Sequence, residues 1–557
     1  MHRTLIACLC LALLAGCATP DPGSDTLTIT VVGLNDVHGE LVAREDRGGL
    51  VSVSAYVAAL RELRARDGGA VLLIDAGDMW QGTIESNLDE GKTVVDIYNA
   101  LDVTAAAIGN HEFDFGPVGQ ASVPTGPYDA PRGALRQRAR EMDFPLLAAN
   151  LIDETTGEPV AWQNVQPSVI VEAAGVRVGI VGVMTERALQ TTIAANTHGL
   201  RVAPIVPTLV QEATALRARG AEVVVVAAHA GSGCEDFSDP FDTSSCDMNG
   251  EIMRVATALP PGLVDHIVAG HRHRGIAHVV NGISITSAYS STRAFSRTDL
   301  HLERDGHTLA GRTVYTPQPV PFTASDVYEG MPLEEDPGVM AIADAALAVA
   351  RERRNADLGV TLAAPFDIES DVESALGNLF TEALLDSLDA DVAIHNVFGG
   401  IRSGLPAGNL TFGAVYEMFP FDNAVTIHTL TGRELRTILA RKAALPRKPG
   451  IAGMRIAVSC DQDGMTVEMT RDDGTPIRDA DAVRVIANDF LALGGDDILT
   501  PVIDARGLEV EQGLPRTRDV LVQWFMNHPG TLDPSVFRSH DDPKWRVPDI
   551  IPDTCLP

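Results

Sequence analysis

From Leu27 to about residue 320 the chain repeats one pattern. A short run of apolar, largely β-branched residues ends in Gly, Asp, Asn or His, and a segment with helical spacing follows. The runs are Leu27–Leu34, Ala70–Ile74, Thr104–Ile108, Val176–Val183, Ala221–Ala228, Val264–Ala269 and Ile283–Ser287. They are nearly continuous rather than alternating, so both faces of each strand are expected to be buried, and this half reads as a layered α/β domain. Gly48–Arg66 places Leu50, Val53, Val57 and Leu60 on one helical face. Residues 337–354 read as an amphipathic helix with Ala, Leu and Val inside and Arg351-Glu352-Arg353-Arg354 at its end, a connector to a second, mixed α/β half at 358–557. The tail after Asn527, rich in Pro and Asp, reads as an irregular extension. No internal repeat relates the halves.

The polar residues that end the strands change the picture, because α/β folds keep their sites there. Asn35-Asp36-Val37-His38-Gly39 follows the first run, Asp75-Ala76-Gly77-Asp78 the second and Gly109-Asn110-His111-Glu112-Phe113-Asp114 the third. His229-Ala230-Gly231 follows the fifth and Gly270-His271-Arg272-His273 the sixth. The donors are nitrogen and oxygen without thiolate, which suits Zn, Mn, Fe or Co and argues against a soft metal or calcium. Two divalent ions about 4 Å apart need a bridging carboxylate and imidazoles around it. Asp36 and His38 can turn toward one ion, while His271 and His273 can reach different ones. A single histidine at a strand end is more often a satisfied polar group than a ligand, and ten of the fifteen histidines, His266 among them, are read that way. Asp75 is read as structural, and Arg272 and Arg274 as either substrate contacts or surface charge.

The formal charge of −32 is spread along 557 residues without an acidic tail, and it excludes duplex nucleic acid as a general partner. Arg3, the apolar run Leu5–Leu14 and Leu14-Ala15-Gly16-Cys17 resemble a bacterial lipoprotein signal. That resemblance implies cleavage of residues 1–16, lipid on Cys17, a tether at 17–26 and, with Ala18 after the cysteine, an outer-membrane address. An ordinary secretory signal is the alternative. Of the seven cysteines, Cys8 and Cys10 would be removed and Cys17 lipidated. The remaining four are expected to pair as Cys234–Cys246 and Cys460–Cys555 in an oxidising compartment, since other pairings would bridge the two halves. A zinc site lacks any CxxC pair to support it. No later run approaches a membrane span.

Taken in order, NDxHG, GDxxxG, GNHEFD, HxG and GHxH resemble the calcineurin-like dimetal phosphoesterases, in particular the secreted 5′-nucleotidase and UDP-sugar hydrolase group. The resemblance implies a four-layer αββα sandwich at 27–325, a linker helix at 326–357 and a mixed α/β 5′-nucleotidase C-terminal domain at 358–557. It implies that Asp36, His38, Asp78 and His273 hold one metal ion, and that Asp78, Asn110, His229 and His271 hold the other, Asp78 bridging. It makes His111 and Asp114 a catalytic dyad, with a metal-bridging hydroxide attacking phosphorus.

The second half carries further matches. Glu373-Ser374-Ala375-Leu376-Gly377-Asn378-Leu379, Gly399-Gly400-Ile401-Arg402, Phe419-Pro420-Phe421-Asp422-Asn423 and Asn488-Asp489-Phe490 with Gly494-Gly495-Asp496 resemble the family's substrate-binding segments. Phe421 and Phe490 could sandwich a base, Asn423 and Asp496 could bond base or ribose, and Arg402 could clamp a phosphate. Two departures stand out. Asp371-Val372-Glu373 lacks the arginine usual before the GNL segment, and Asn396-Val397-Phe398 brings a bulky Phe398 into the glycine loop and shifts Asn396 by one position from Arg402. The expectation is a lipid-anchored envelope hydrolase acting on a small nucleotide or nucleotide-sugar, touching the membrane only through its anchor. Relatives acting on 2′,3′-cyclic nucleotides or a thiosulfate conjugate are the alternative, and a metal-bearing binding protein without turnover is the second.

Overall fold

The apolar run Thr26–Leu34 lies at the centre of the first sheet. It pairs in parallel with Ala70–Asp75, Leu34 opposite Asp75, and antiparallel with Ala294–Glu303. The sheet continues through Ala105–Ala107, Leu146–Leu147 and Val165–Gln166 on one side and Leu309–Val314 on the other. A second sheet has the order Gly275–Val280, Ile283–Ala288, His266–Ala269, Val223–His229, Val176–Met184 and Ser168–Ala173. The sheets meet face to face, with Ile29, Val31, Leu72 and Ile74 in one cluster with Val178, Ile180, Val223, Val225 and Val268. Each such side chain contributes about 1.5–3 kcal/mol on full burial.

Helices cover both outer faces. Gly49–Asp67 buries Leu50, Val53, Val57 and Leu60 in the cluster that backs the first sheet. Ile205–Ala218 and Glu251–Ala258 pack on the second. Helix, sheet, sheet, helix is the four-layer order, and all the polar strand ends considered above gather at one edge of it. The computed structural model describes residues 26–557 except 120–121, 125, 127, 324, 369–372, 446, 462–463, 509–514, 539–540, 542, 549–554 and 556–557. The leader 1–16, Cys17 and Asp371-Val372 lie outside the described residues. Among those described, no helix is long and apolar enough to cross a membrane.

Helix Pro337–Arg354 starts with Asp336, whose carboxylate accepts from the backbone of Gly338 and Val339, and proline occupies its first turn. Its Val339 and Ala343 belong to the core of the first half and its Ala350 to that of the second. At its end Arg354 pairs with Glu85 (2.6 Å) and Glu417 (2.8 Å), and Arg44 pairs with the same two carboxylates at 2.9 and 2.8 Å. The second half is built on the sheet Val425–Thr431, Ala482–Asn488, Val392–His395, Gly450–Ala452, with helices Ala375–Ser387 and Thr517–Asn527 among those around it.

The tail departs from the irregular extension expected of it. Gly530–Leu532 pairs with Asp357–Leu362, and Trp545–Arg546 pairs with Met454–Asp461. Two apolar anchors explain this, Phe537 and Trp545, both buried, while Asp533 caps the turn Pro534–Phe537. Cys234 is bonded to Cys246 and Cys460 to Cys555, the latter tying the tail to the strand Met454–Asp461.

Candidate active site

Five of the seven residues expected to ligate metal take backbone conformations that L residues seldom adopt. Asp36, His38, Asp78, His271 and His273 have φ of 49°, 52°, 60°, 74° and 53°. Such strain costs on the order of 1–3 kcal/mol each and persists where the surroundings over-determine it. The surroundings here are backbone hydrogen bonds between strand ends: Asp36 N–H donates to Gly77 O at 3.0 Å and His38 N–H to Asp78 O at 3.0 Å. Gly109 meets a different need, since a Cβ there would lie 2.2 Å from Asp78 Oδ1.

The side chains converge in two groups whose donor atoms lie within 4.8 Å of one another: Asp36, His38 and His273, and Asp78, His229 and His271. In the first, His38 Nε2 and His273 Nε2 are 3.2 Å apart, and His273 Nε2 lies 3.3 Å from Asp36 Oδ1. In the second, His229 Nε2 lies 3.2 Å from Asp78 Oδ2, 2.9 Å from Asn110 Oδ1 and 3.2 Å from His271 Nδ1. The other faces of the rings are tied down. His38 Nδ1 bonds to Gln81 O at 2.8 Å and His229 Nδ1 to Ala76 O at 2.9 Å, which turns Nε2 of each ring toward its cluster. Thr191 O accepts from Asn110 Nδ2 at 2.8 Å and thereby aims Asn110 Oδ1 inward.

Nitrogen and oxygen donors that converge this closely around two carboxylates offer a ready seat for a cation, and the donor set fits a divalent ion with mixed N/O preference. Electrostatics agree. Burial pushes His38 well below its ordinary value and His271 to about 3, so both are neutral, as ligation requires. Burial also opposes charge on His229, but the Asp78 carboxylate overrides it and lifts that ring to about 10. The field that would hold a proton there would equally hold a metal ion.

His111 opens a short helical turn, His111–Phe113, which brings Asp114 under it. His111 Nδ1 lies 2.7 Å from Asp114 Oδ2, and Arg402 Nη2 lies 2.7 Å from His111 Nε2. A guanidinium only donates, so Nε2 is the acceptor and the ring proton sits on Nδ1, donated to Asp114. Between them, Glu112 faces the other way. It accepts from the backbone N–H of Asp78, Met79 and Gly109 and so pins the loop that carries Asp78; burial, with the Asp78 charge adding, pushes its carboxyl up to about 8. Asp75 is buried and bonded to Tyr98 and to Gly77 N–H, the structural role expected of it.

The second half closes over this edge and leaves a cavity of about 390 Å³. Its walls combine Asp78, Asn110, His111, Asp114, His271 and His273 with Arg402, Phe421, Asn423, Phe490 and Asp496; Arg272 and Arg274 also line it. The Arg402 guanidinium lies 5.1 Å above the Phe421 ring. Arg518 holds the Phe421 loop from behind by donating to the Phe421 carbonyl and pairing with Asp422. Asn423 Nδ2 donates to Asp489 at 2.8 Å, and burial raises the Asp496 carboxyl, which accepts from Asn396 Nδ2 at 2.6 Å. Phe398 stands in the cavity wall with Arg447 4.6 Å from its ring centre.

Three further contacts around the site are not marked in the sequence, the role of Asn396 among them. Gln81 donates to Pro420 O across the two halves, Asn396 braces Asp496, and Thr192 Oγ1 donates to Asp114 Oδ1 at 2.8 Å. Thr191 and Thr192 follow the fourth apolar run, Val176–Val183, which ends without a histidine or glycine signature and so offered no sign.

Residues 29–275 match the calcineurin-like phosphoesterase family, and residues 348–502 match the 5′-nucleotidase C-terminal domain. The chain belongs to the metallophosphoesterases that carry this C-terminal domain, and is a hydrolase of phosphoric esters. Protein UshA of Yersinia enterocolitica is 25% identical over 95% of this chain and 96% of its own. Cell wall protein Lmo0130 of Listeria monocytogenes is 25% identical over 89% of this chain and 67% of its own. The fold resembles the crystal structure of a 5′-nucleotidase precursor from Thermus thermophilus, with a TM-score of 0.73 at 23% identity over 94% of this chain and 100% of that one.

Proposed function

We propose that this protein hydrolyses nucleotides, as a 5′-nucleotidase or nucleotide-sugar hydrolase, using two divalent ions (Zn, Mn, Fe or Co) and the His111–Asp114 dyad. One observation carries the reading: a single cavity joins the donor clusters and the dyad on one wall to Arg402, Phe421, Phe490 and Asp496 on the other. Asp36, His38 and His273 would hold one ion, His229, His271 and Asn110 the other, with Asp78 between them. When bound, the ions supply Lewis acidity and activate water for attack on phosphorus.

The remaining roles fall to the chain itself. Arg402 exchanges its bond to His111 for the phosphoryl oxygens, which match its planar fork. That frees His111 Nε2 to face the leaving oxygen, while Asp114 fixes the ring. Phe421 and Phe490 take the faces of the base. The domains implied are 27–325, 326–357 and 358–557. The leader and Cys17 support a cell-envelope location with a lipid anchor, a reading that a relative named as a cell wall protein favours. Phe398 in the loop before Arg402 keeps a second reading in view, a 2′,3′-cyclic nucleotide or thiosulfate-conjugate substrate.

The test is turnover by purified mature protein, loaded with Mn or Zn, on AMP, UDP-glucose, cyclic nucleotides and an aryl phosphate. Release from AMP or UDP-glucose that is lost in His111→Ala is expected. Preference for the cyclic nucleotides would favour the second reading, and no release from any of these substrates would overturn the proposal of nucleotide hydrolysis. Mass spectrometry of the native N-terminus checks Cys17.

A further inference from the structure

The geometry points to Thr192 as a positioning residue of the hydrolysis, the third member of a chain Arg402–His111–Asp114–Thr192; this rests on the dyad reading above. Asp114 has two carboxylate oxygens and both are used. Oδ2 accepts from His111 Nδ1 at 2.7 Å, and Oδ1 accepts from Thr192 Oγ1 at 2.8 Å. Thr192 is 5% exposed and Asp114 8%, so water does not readily replace the hydroxyl. A carboxylate held at one oxygen can swing about its side-chain torsions; held at both, it presents Oδ2 to the ring in one orientation. Orientation of the imidazole is then set two bonds away from the reacting atoms.

The backbone makes the same segment do a second job. Thr191 O accepts from Asn110 Nδ2, so adjacent residues fix the amide of one candidate metal ligand and the carboxylate of the dyad. The segment is itself anchored: Asn196, fully buried, donates to Phe113 O at 2.8 Å, inside the turn that separates His111 from Asp114. Thr191, Thr192 and Ile193 also line the substrate cavity, whereas the strand they follow carries none of the converging donors. The fourth strand end thus contributes through a hydroxyl and a carbonyl where its neighbours contribute ligands.

Thr192→Val keeps the shape and removes the donor; Thr192→Ser keeps the donor and removes the methyl. With metal-loaded protein and AMP, UDP-glucose or an aryl phosphate, whichever the wild type turns over, Thr192→Val should lower kcat by about 10-fold or more and change KM by less than about 2-fold, in the range that supporting hydrogen bonds show. Thr192→Ser should stay within about 3-fold of wild type. In an Asp114→Ala background Thr192→Val should cause no further loss, since its effect passes through Asp114. The proposal is overturned if Thr192→Val is as active as wild type, if its loss adds fully to that of Asp114→Ala, or if folded Thr192→Ser falls as far as a Thr192→Val variant. Should Thr192→Val fail to fold, Thr192→Ser and its melting temperature decide alone: a folded, inactive serine variant overturns the role, and an active one supports it. Wild-type protein without turnover would instead overturn the functional reading beneath it.

Discussion

The two walls of the cavity are built on different terms. The metal-side wall consists of strand ends, with its side chains locked by backbone hydrogen bonds and by left-handed φ at five positions. The opposite wall consists of loops, Val397–Gly400 with its kink at Phe398 and Gly399, Phe419–Asn423, and the turn around Asp496. These loops are steadied from behind by side chains, Arg518 on the Phe421 carbonyl and Asn396 on Asp496. Chemistry that needs sub-ångström placement sits on the rigid wall, and recognition that must suit a particular substrate sits on the adjustable one. A substitution on the first should strike kcat for every substrate, and one on the second should strike KM for some.

The largest expected effect is metal removal. A chelator should take turnover to background on all substrates, and Mn or Zn should restore it; persistent turnover in the chelated protein would break the distinction at its base. His111→Ala comes next, with a loss of about 10²–10⁴-fold in kcat, as for a general acid. Comparable loss on AMP and on an aryl phosphate is the outcome that fits the rigid wall. Phe421→Ala or Phe490→Ala should forfeit about 1–3 kcal/mol of stacking, a rise of roughly 5- to 150-fold in KM for nucleotides but not for a small aryl phosphate. Equal loss on both would show that these rings serve the fold rather than the base.

The last prediction concerns stability rather than turnover, and each half supplies one example. Burial pushes His266 in the first and His395 in the second to about 3. The unfolded chain binds a proton at each near pH 6.5 while the folded chain does not, so stability is lost as pH falls from about 6.5 toward 3, by up to about 1.4 kcal/mol per pH unit for each histidine. His395→Gln should flatten that slope in acid denaturation followed by circular dichroism. An unchanged slope would mean that His395 does not contribute.

What the sequence made legible follows the same division. The metal-side residues stand on short motifs directly after apolar runs, because a ligand at a strand end must sit within a residue or two of the strand. Asp36, His38, Asp78, Asn110, His229, His271 and His273 do gather, and the helix over Gly49–Asp67 buries the face that its spacing predicts. The left-handed φ values were not legible, because nothing in the motifs marks Asp36, His38, Asp78, His271 and His273 as the residues that take them. Thr192 and the bracing role of Asn396 were not legible because their partners are distant in sequence, Asp114 78 residues away and Asp496 100. The order of the tail was not legible, since its Pro and Asp content points to irregularity while Phe537 and Trp545 supply burial.

One element described for its place in the chain also governs how the molecule comes apart. Helix Pro337–Arg354 inserts Val339 and Ala343 into one core and Ala350 into the other, and its Arg354 shares Glu85 and Glu417 with Arg44. Unravelling either half therefore strips apolar cover from the helix and, through it, from its neighbour. The two halves should melt as one cooperative transition rather than in sequence, and a protease cut within this helix should destabilise both products at once.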